Sequence, residues 1–325
     1  MPGLRRYLLI RILLTFPTLV IVTSIIFLLL HVAPGNPIDI MLATTKGSRE
    51  IREILIQRFG FDRPLHEQYF LWLYNVFTGN LGFSVSGRPV VELISSRIWY
   101  TVELMLLSQS ISAALAIIFG AISGYKHGSM LDKTLSLLAL VGYSIPDFWL
   151  GLIFILVFSV SLKWFPVGAF TMGLETALST PFDHLKYLVL PTTVLVIGFT
   201  PYYFRLLRAS MAEVSKKDYI LAAKSKGLSE KVIVYKHALR NALAPTVTAI
   251  GTSLGLIFGG SYVVEVVFAW PGLGSLLVSA AIARDYWVVM GVSFITAVMV
   301  IASSIMIDVL YIYLNPQIKL EGGKY

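Results

Sequence analysis

The sequence contains no cysteine among its 325 residues. Disulfide bonds and thiolate metal sites are therefore excluded, and the chain gives no indication of the redox state of its compartment. Charged residues are also scarce, because Asp, Glu, Lys and Arg make up 14% of the chain, whereas hydrophobic residues make up 56%. Soluble domains average about 25% charged and about 45–50% apolar residues. The composition therefore favours an integral membrane protein.

Patterns that indicate catalysis or nucleotide binding are absent as well. The chain has no Gly-x-x-x-x-Gly-Lys-Ser/Thr phosphate loop, no His-Glu-x-x-His pair and no Ser/His/Asp arrangement. Its Gly272-Leu273-Gly274 stretch lacks the third glycine of a dinucleotide fingerprint. We expect no metal site, because three of the histidines lie far apart in the sequence: His31, His127 and His237. These absences argue against an enzyme, including an intramembrane one, and we expect any nucleotide to be bound by other chains.

Six long apolar stretches dominate the sequence. They are residues 12–32, 104–125, 134–162, 187–204, 242–264 and 286–307. Five of them contain no Asp, Glu, Lys or Arg. About 20 apolar residues, at about 1.5 Å of rise each, cross a hydrocarbon layer about 30 Å thick. The pattern predicts an all-α integral membrane protein with six transmembrane helices.

Lys and Arg are distributed unevenly between the segments that join these stretches. With a cytoplasmic N-terminus, the cytoplasmic segments hold sixteen of the 26 Lys and Arg residues, and the short outer segments hold three. Cytoplasmic loops carry the excess of positive charge, and long translocated segments such as 34–100 are exempt from this rule. We therefore expect a multi-pass protein of the cell membrane with both termini in the cytoplasm.

The first apolar stretch follows Arg5 and Arg6, as the apolar part of a signal peptide would. However, it is 21 residues long, and the Pro34-Gly35-Asn36-Pro37 stretch after it does not fit a cleavage site. We expect a retained first helix.

The third apolar stretch is longer than a crossing needs and has two unusual residues near its middle. Pro146 removes a backbone donor and clashes with the preceding turn, so we predict a kink or break there. Asp147 follows it, and a carboxylate within a crossing costs about 2.5–3.5 kcal/mol on insertion scales. We predict that both residues line or gate a translocation pathway. The alternative is that Asp147 meets only water or backbone donors freed by the break.

Residues 34–100 form the largest extracytoplasmic segment. Aromatic and charged residues are mixed there, a composition too apolar for a disordered linker. We expect short helices packed on the outer face of the bundle. The chain then divides into 1–100, with the first transmembrane helix and this segment, and 101–325, a five-helix core that carries the cytoplasmic loop 205–240.

The cytoplasmic loop carries nine Lys and Arg residues and the pattern of two short helices. The first helix is predicted from Asp218 to Lys226, with an acidic residue at its positive end and lysines at its negative end. Gly227 follows, where a left-handed residue ends many helices. Ser229 can cap the next helix.

Two small residues, Ala222 and Ala223, would let another protein approach the backbone of the first loop helix closely. A basic loop that touches anionic lipid is the alternative, and it accounts for the charge. It does not account for the ordered helix–glycine–helix arrangement, so we favour docking of another protein.

The same loop resembles the EAA loop of the permeases of ATP-binding-cassette (ABC) importers. Ala222-Ala223-x-x-x-Gly227 resembles its core, although Leu221 stands where the family has glutamate. Gly227-Leu228-Ser229 and His237-Ala238-Leu239-Arg240 are similar to the dipeptide/oligopeptide branch of the family. Further stretches similar to that branch begin at Pro34, Pro64, Gly79, Ser144, Glu265 and Arg284. Together they resemble the first of the two permease subunits over nearly the whole chain.

The resemblance implies a type I ABC-importer permease fold and a transport subunit that is not an enzyme. It implies import of dipeptides or oligopeptides delivered by an extracytoplasmic substrate-binding protein. A second permease subunit and two cytoplasmic ATPase subunits are the other implied partners, and ATP and Mg²⁺ are bound by the ATPases, with no cofactor on this chain. The residues expected to couple the chain to the ATPases are Asp218, Leu221, Ala222, Ala223, Gly227, Leu228, Ser229, His237 and Arg240.

Three charged residues flank the last outer loop, namely Glu265, Arg284 and Asp285. We predict that they contact the binding protein or the amino group of the substrate. The alternative is a local ion pair of the carboxylates with Arg284, worth about 0–1 kcal/mol if it is exposed.

Two alternatives for the function remain at this stage. One is an importer of the same class that carries oligosaccharides or nickel, because the binding protein largely sets the substrate. The more distant one is a secondary transporter driven by an ion gradient. That class predicts an inverted repeat and charged pairs at mid-membrane, whereas Asp147 is the one charged residue within the six stretches.

Overall fold

The computed structural model describes residues 2–32, 53, 56, 62–168, 180–255 and 261–314. The helices in chain order are α1 (Pro2–Val32), α2 (Leu65–Phe77), α3 (Val90–Tyr125), α4 (Met130–Ser144), α5 (Asp147–Phe154), α6 (Pro181–Val214), α7 (Asp218–Ser225), α8 (Glu230–Val232), α9 (Leu239–Ala242), α10 (Ala244–Gly255), α11 (Tyr262–Val267), α12 (Leu273–Ile282) and α13 (Tyr286–Leu314). Two π-helical stretches, Ile155–Ser161 and Ile233–Ala238, extend α5 and α8. The predicted all-α class is confirmed.

Four helices, α1, α3, α6 and α13, are each long and apolar enough to cross a membrane. The pair of α4 and α5 with its π-helical extension supplies a fifth candidate, bent by 94° at its break. The predicted fifth crossing, 242–264, falls on α10 and the start of α11, and residues 256–260 between them lie outside the described part of the chain. The count of six crossings therefore stays a prediction.

A stripe of small residues places α3 directly against α6. Its members recur every fourth position on one face of α3 and are all buried: Ser108, Ser112, Ala116, Gly120 and Gly124. Small residues let two membrane helices approach closely, so that dispersion contacts replace an aqueous hydrophobic effect. The two helices run parallel, because Glu103 of α3 meets His184 of α6 at 2.8 Å and, further along both helices, Gly124 lies against Arg208.

Local chemistry explains where the helices around the break begin. The Ser129 hydroxyl accepts a hydrogen bond from the Asp132 N–H at 3.2 Å and caps α4. Pro146 stands directly before α5 with an extended backbone, at φ −62° and ψ 134°. Because proline cannot continue α4 and suits the start of a helix, the chain turns there. The predicted break at Pro146 is confirmed.

The N-terminal part of the chain packs on the C-terminal helix. Phe27 of α1 and Trp72 of α2 share one buried apolar cluster with Ile94 of α3 and Val292 of α13. Helix α2 lies within the predicted extracytoplasmic helical segment, whereas most of residues 34–61 lie outside the described part of the chain. Residue 100 lies inside α3, and the division of the chain at that position stays a prediction.

Candidate translocation pathway and coupling surface

The loop between α6 and α10 folds into the predicted helix–glycine–helix unit. Helix α7 begins at Asp218 and ends at Ser225, one residue before the predicted end. Gly227 has a φ of +72°, the left-handed conformation that favours glycine, and its N–H donates to the Lys224 carbonyl at 2.9 Å. Ser229 occupies the cap position of α8 with ψ 149°, but its side chain makes no capping hydrogen bond.

One side of this loop is anchored on the transmembrane bundle. Ile220 and Ala223 of α7 and Ile233 after α8 are buried in one apolar cluster with Leu207 and Met211 of α6. Any force applied to α7 is therefore transmitted to the end of α6 through packed side chains.

The same loop also exposes apolar groups. We call these five residues, each between 37% and 52% exposed, the coupling surface: Tyr219, Leu221, Leu228, Val232 and Tyr235. Several exposed apolar side chains in one short loop indicate an interaction site. The loop also carries basic residues, including Lys224, whose Nζ lies 5.1 Å from the centroid of the Tyr125 ring.

The structure separates the nine predicted coupling residues by exposure. Seven are exposed, namely Asp218, Leu221, Ala222, Gly227, Leu228, Ser229 and Arg240. Ala223 is buried against α6, and His237 is half-buried. The sequence reasoning missed Tyr219, whose hydroxyl accepts a hydrogen bond from the Asn241 amide at 2.9 Å. It also missed Val232 and Tyr235. Their spacing of three residues, which places two side chains on one face of a helix, could have indicated them.

An ion pair joins α4 to α6 near this loop. Arg208 donates to the two carboxylate oxygens of Asp132, from Nε at 2.5 Å and from Nη2 at 2.8 Å. Ser123 and the Gly128 N–H donate to the same carboxylate at 2.5 and 2.9 Å. Asp132 is 1% exposed and Arg208 is 27% exposed. The pair therefore ties the ends of α3, α4 and α6 together.

Asp147 lies at the break between α4 and α5, against α6. A Cβ atom added at Gly198 of α6 would lie 2.8 Å from its Oδ1, so the absence of a side chain there leaves room for the carboxylate. Asp147 is half-buried. Within the described ranges, neither a hydrogen bond nor an ion pair engages its carboxylate.

An aromatic–cation contact lies on the same side of α6. The guanidinium carbon of Arg205 lies 4.6 Å from the centroid of the Tyr143 ring, near the end of α4. Tyr143 is 56% exposed, and Arg205 is exposed. A guanidinium over an aromatic face is stabilised by the ring quadrupole.

Glu265 holds the start of α12 from inside the protein. It is fully buried, and Thr101 and Ser261 donate to its Oε1 at 2.8 Å each. The N–H groups of Gly274 and Ser275 donate to its Oε2 at 2.7 and 3.2 Å. A carboxylate at a helix N-terminus complements the helix dipole and satisfies otherwise unpaired donors. The geometry thus gives Glu265 a structural role, and sequence patterns gave no signal for its partner Thr101.

Asp285 has a similar role at the start of α13. It is 4% exposed, and its Oδ2 accepts hydrogen bonds from the Ser84 hydroxyl at 2.5 Å and the Val85 N–H at 3.0 Å. Its Oδ1 accepts a bond from the Val288 N–H at 3.3 Å. Arg284 adopts a left-handed backbone with φ 53°. The structure thus buries both predicted outer carboxylates, and the predicted contacts with other molecules stay predictions.

Comparison with known proteins agrees with this geometry. Residues 116–320 match the family described as the inner membrane component of binding-protein-dependent transport systems. Residues 4–104 match the N-terminal region described for the same kind of component.

Curated relatives match nearly the whole chain. The oligopeptide transport system permease protein AppB of Bacillus subtilis is 39% identical over 318 residues, covering 96% of this chain and 99% of the relative. The di/tripeptide transport system permease protein DppB of Pseudomonas aeruginosa is 34% identical over 330 residues, covering 94% and 96%.

Among solved structures, a chain of the MetNI methionine ABC transporter in an inward-facing conformation is similar in fold. The TM-score is 0.56 at 20% identity, and the match covers 69% of this chain and 96% of that one. The predicted type I ABC-importer permease fold is confirmed. The chain belongs to the family of inner membrane components of binding-protein-dependent transport systems.

Proposed function

We propose that this chain is a permease subunit of an ABC importer that moves dipeptides and oligopeptides across the cell membrane. The relatives' names, which specify oligopeptide and di/tripeptide transport over nearly the full chain length, support the substrate class. The proposed coupling to ATP rests on one observation. The coupling surface is apolar and exposed, and it lies on a loop that is anchored to α6.

The coupling surface suits docking to a cytoplasmic ATPase subunit. Burying it would remove Leu221 and Tyr235 from water, at about 25 cal/mol per Å² of apolar area. Two ATPase subunits would bind ATP and Mg²⁺, and their closure would push on α7. Because Ile220 packs against α6, the movement reaches the helix that carries Arg208 and Gly198.

Pro146 and Asp147 are proposed to line the pathway. The break brings a carboxylate with open acceptor positions to the side of α6, inside an otherwise apolar crossing. A second, similar permease would supply the other half of the pathway.

The outer loop is proposed to contact the substrate-binding protein. Arg284 would make the direct contact, whereas Glu265 and Asp285 would hold the backbone around it, since both are buried. This arrangement requires both termini to be cytoplasmic, as the distribution of Lys and Arg predicts.

Reconstitution tests the proposal. Proteoliposomes loaded with ATP and Mg²⁺ would hold this chain, a second permease and two ATPases, with binding protein and radiolabelled trialanine outside. We expect ATP-dependent uptake that survives an ionophore. We expect Leu228→Glu to reduce ATPase co-purification and uptake at least tenfold, because it places a charge in an apolar contact.

Leu65→Glu is the matched control, since Leu65 is 50% exposed on α2 and far along the chain from the loop. It should leave both quantities near wild type. Uptake that stops with an ionophore and ignores ATP would indicate a secondary transporter. Uptake of oligosaccharide or nickel in place of peptide would contradict the peptide assignment alone.

A further inference from the structure

Two opposite charges, Asp147 of α5 and Arg205 of α6, lie beside one face of α6. The Asp147 carboxylate contacts α6 at Gly198, and Arg205 is seven residues further along that helix. Seven residues are about two turns, so Gly198 and Arg205 are on the same face of α6, and their backbone positions are about 10 Å apart along its axis. Asp147 lies within a predicted crossing, where a charge is costly and in most cases functional. Arg205 stands where the predicted cytoplasmic loop begins.

Two exposed aromatic side chains lie near these charges. Tyr143 is 56% exposed beneath the Arg205 guanidinium. Tyr202, 42% exposed, lies four residues after Gly198 and three before Arg205, on the same face of α6. Such a strip offers apolar ring surfaces for side chains of any kind, with one charge at each end.

We propose that Asp147 and Arg205 bind the two ends of a short peptide during its passage. The Asp147 carboxylate accepts hydrogen bonds from the protonated amino terminus, and the Arg205 guanidinium donates to the terminal carboxylate. This inference rests on the proposed function of peptide import and adds the residues that recognise the substrate.

The spacing specifies the length of peptide that both charges can bind together. An extended chain rises about 3.3–3.6 Å per residue, so three residues span about 10 Å. Tripeptides can thus engage both charges, whereas dipeptides, which span about 7 Å, and longer peptides engage one at a time. Recognition of the ends and not the side chains allows many sequences to pass. A neutral oligosaccharide lacks both end charges.

Transport of end-blocked peptides by the full complex tests the assignment. Uptake is measured for trialanine, N-acetyl-trialanine and trialanine amide with Asp147→Asn and Arg205→Gln. The binding protein is the same in every assay. Its preference among the peptides therefore cancels when the uptake of one peptide by a variant is divided by the uptake of that peptide by the wild type. We expect Asp147→Asn to lower trialanine uptake about tenfold and N-acetyl-trialanine uptake less than twofold. Arg205→Gln should lower trialanine uptake about tenfold and trialanine amide uptake less than twofold.

The matched controls are Glu92→Gln and Arg88→Gln, an exposed ion pair on and just before α3, which should keep wild-type uptake of all three peptides. Equal losses for blocked and free peptides, or no losses, would overturn the inference while leaving peptide import intact. Failure of the wild-type complex to import any peptide would overturn the proposed function itself.

A second measurement keeps both charges in place. Because the chain has no cysteine, Tyr202→Cys introduces its one thiol. Millimolar trialanine should slow labelling of this thiol by a methanethiosulfonate reagent several-fold in the permease–ATPase complex. N-acetyl-trialanine amide, which is blocked at both ends, should slow it far less. Equal protection by both peptides, or none, would contradict recognition of the charged ends.

Discussion

The guanidinium of Arg208 binds both carboxylate oxygens of Asp132, although the two residues are 76 positions apart in the sequence. The Ser123 hydroxyl and the Gly128 N–H donate to the same carboxylate, and His127 Nδ1 lies 3.3 Å from its Oδ2. Three helix ends therefore meet at one buried anion, on the side of the bundle that carries the coupling surface. A movement of α7 that reaches α6 must either carry this junction as a unit or break it.

The first prediction concerns Asp132→Asn. An uncharged amide cannot accept from all four donor groups, and it leaves Arg208 without its counter-ion. Breaking a buried pair costs about 3–5 kcal/mol and an exposed pair about 0–1 kcal/mol. Because Arg208 remains 27% exposed, we expect an intermediate loss of about 2 kcal/mol in the free energy of unfolding. Denaturant unfolding in detergent would measure it.

Arg88→Gln supplies the control for this measurement. Its partner Glu92 lies 2.6 Å away, but both side chains are more than half exposed. We expect a loss below about 1 kcal/mol. Equal stabilities for the two variants would show that the junction at Asp132 is not stabilising.

The second prediction compares two substitutions of Glu265. Glu265→Ala leaves four donors at a buried site without an acceptor, and each unpaired donor costs about 1–3 kcal/mol. Glu265→Gln can turn its carbonyl oxygen to the Gly274 and Ser275 N–H groups and its amide to the two hydroxyls. We therefore expect Glu265→Gln to lower the free energy of unfolding by about 1 kcal/mol and Glu265→Ala to lower it by at least about 3 kcal/mol. Thermal unfolding of the purified permease would rank them. Indistinguishable melting temperatures for Gln and Ala would refute the capping role.

Local features were predictable from sequence, and long-range partners were not. The break at Pro146 and the left-handed Gly227 each follow from the chemistry of a single residue. The carboxylate of Glu265 was predicted to face other molecules, because charge beside an apolar stretch normally seeks water. The structure buries it, since Thr101 of α3 and the N-terminus of α12 supply its donors. Likewise, no local pattern pairs Asp132 with Arg208, because their contact depends on how α4 packs on α6.

The third prediction concerns Gly227, whose φ is +72°. A left-handed backbone costs an ordinary residue about 1–2 kcal/mol, and asparagine less than most. Proline cannot adopt it and also lacks the N–H that donates to Lys224. We expect Gly227→Asn to keep most ATP-driven uptake and Gly227→Pro to lose it, because the coupling surface is displaced. Unimpaired assembly and uptake in Gly227→Pro would contradict the assignment of this loop to coupling with the ATPase.

The fourth prediction concerns Gly198, where α6 and the Asp147 carboxylate meet. In Gly198→Ala the new methyl group would lie 2.8 Å from Oδ1, so the carboxylate or α5 must move. We expect uptake of trialanine to fall at least fivefold with little change in ATPase co-purification, because the coupling surface is remote from this contact. Gly142→Ala is the matched control on α4, since its methyl group would meet Ile197 at an ordinary distance of 3.4 Å. If both variants transported trialanine equally well, close contact between Asp147 and α6 would have no part in transport.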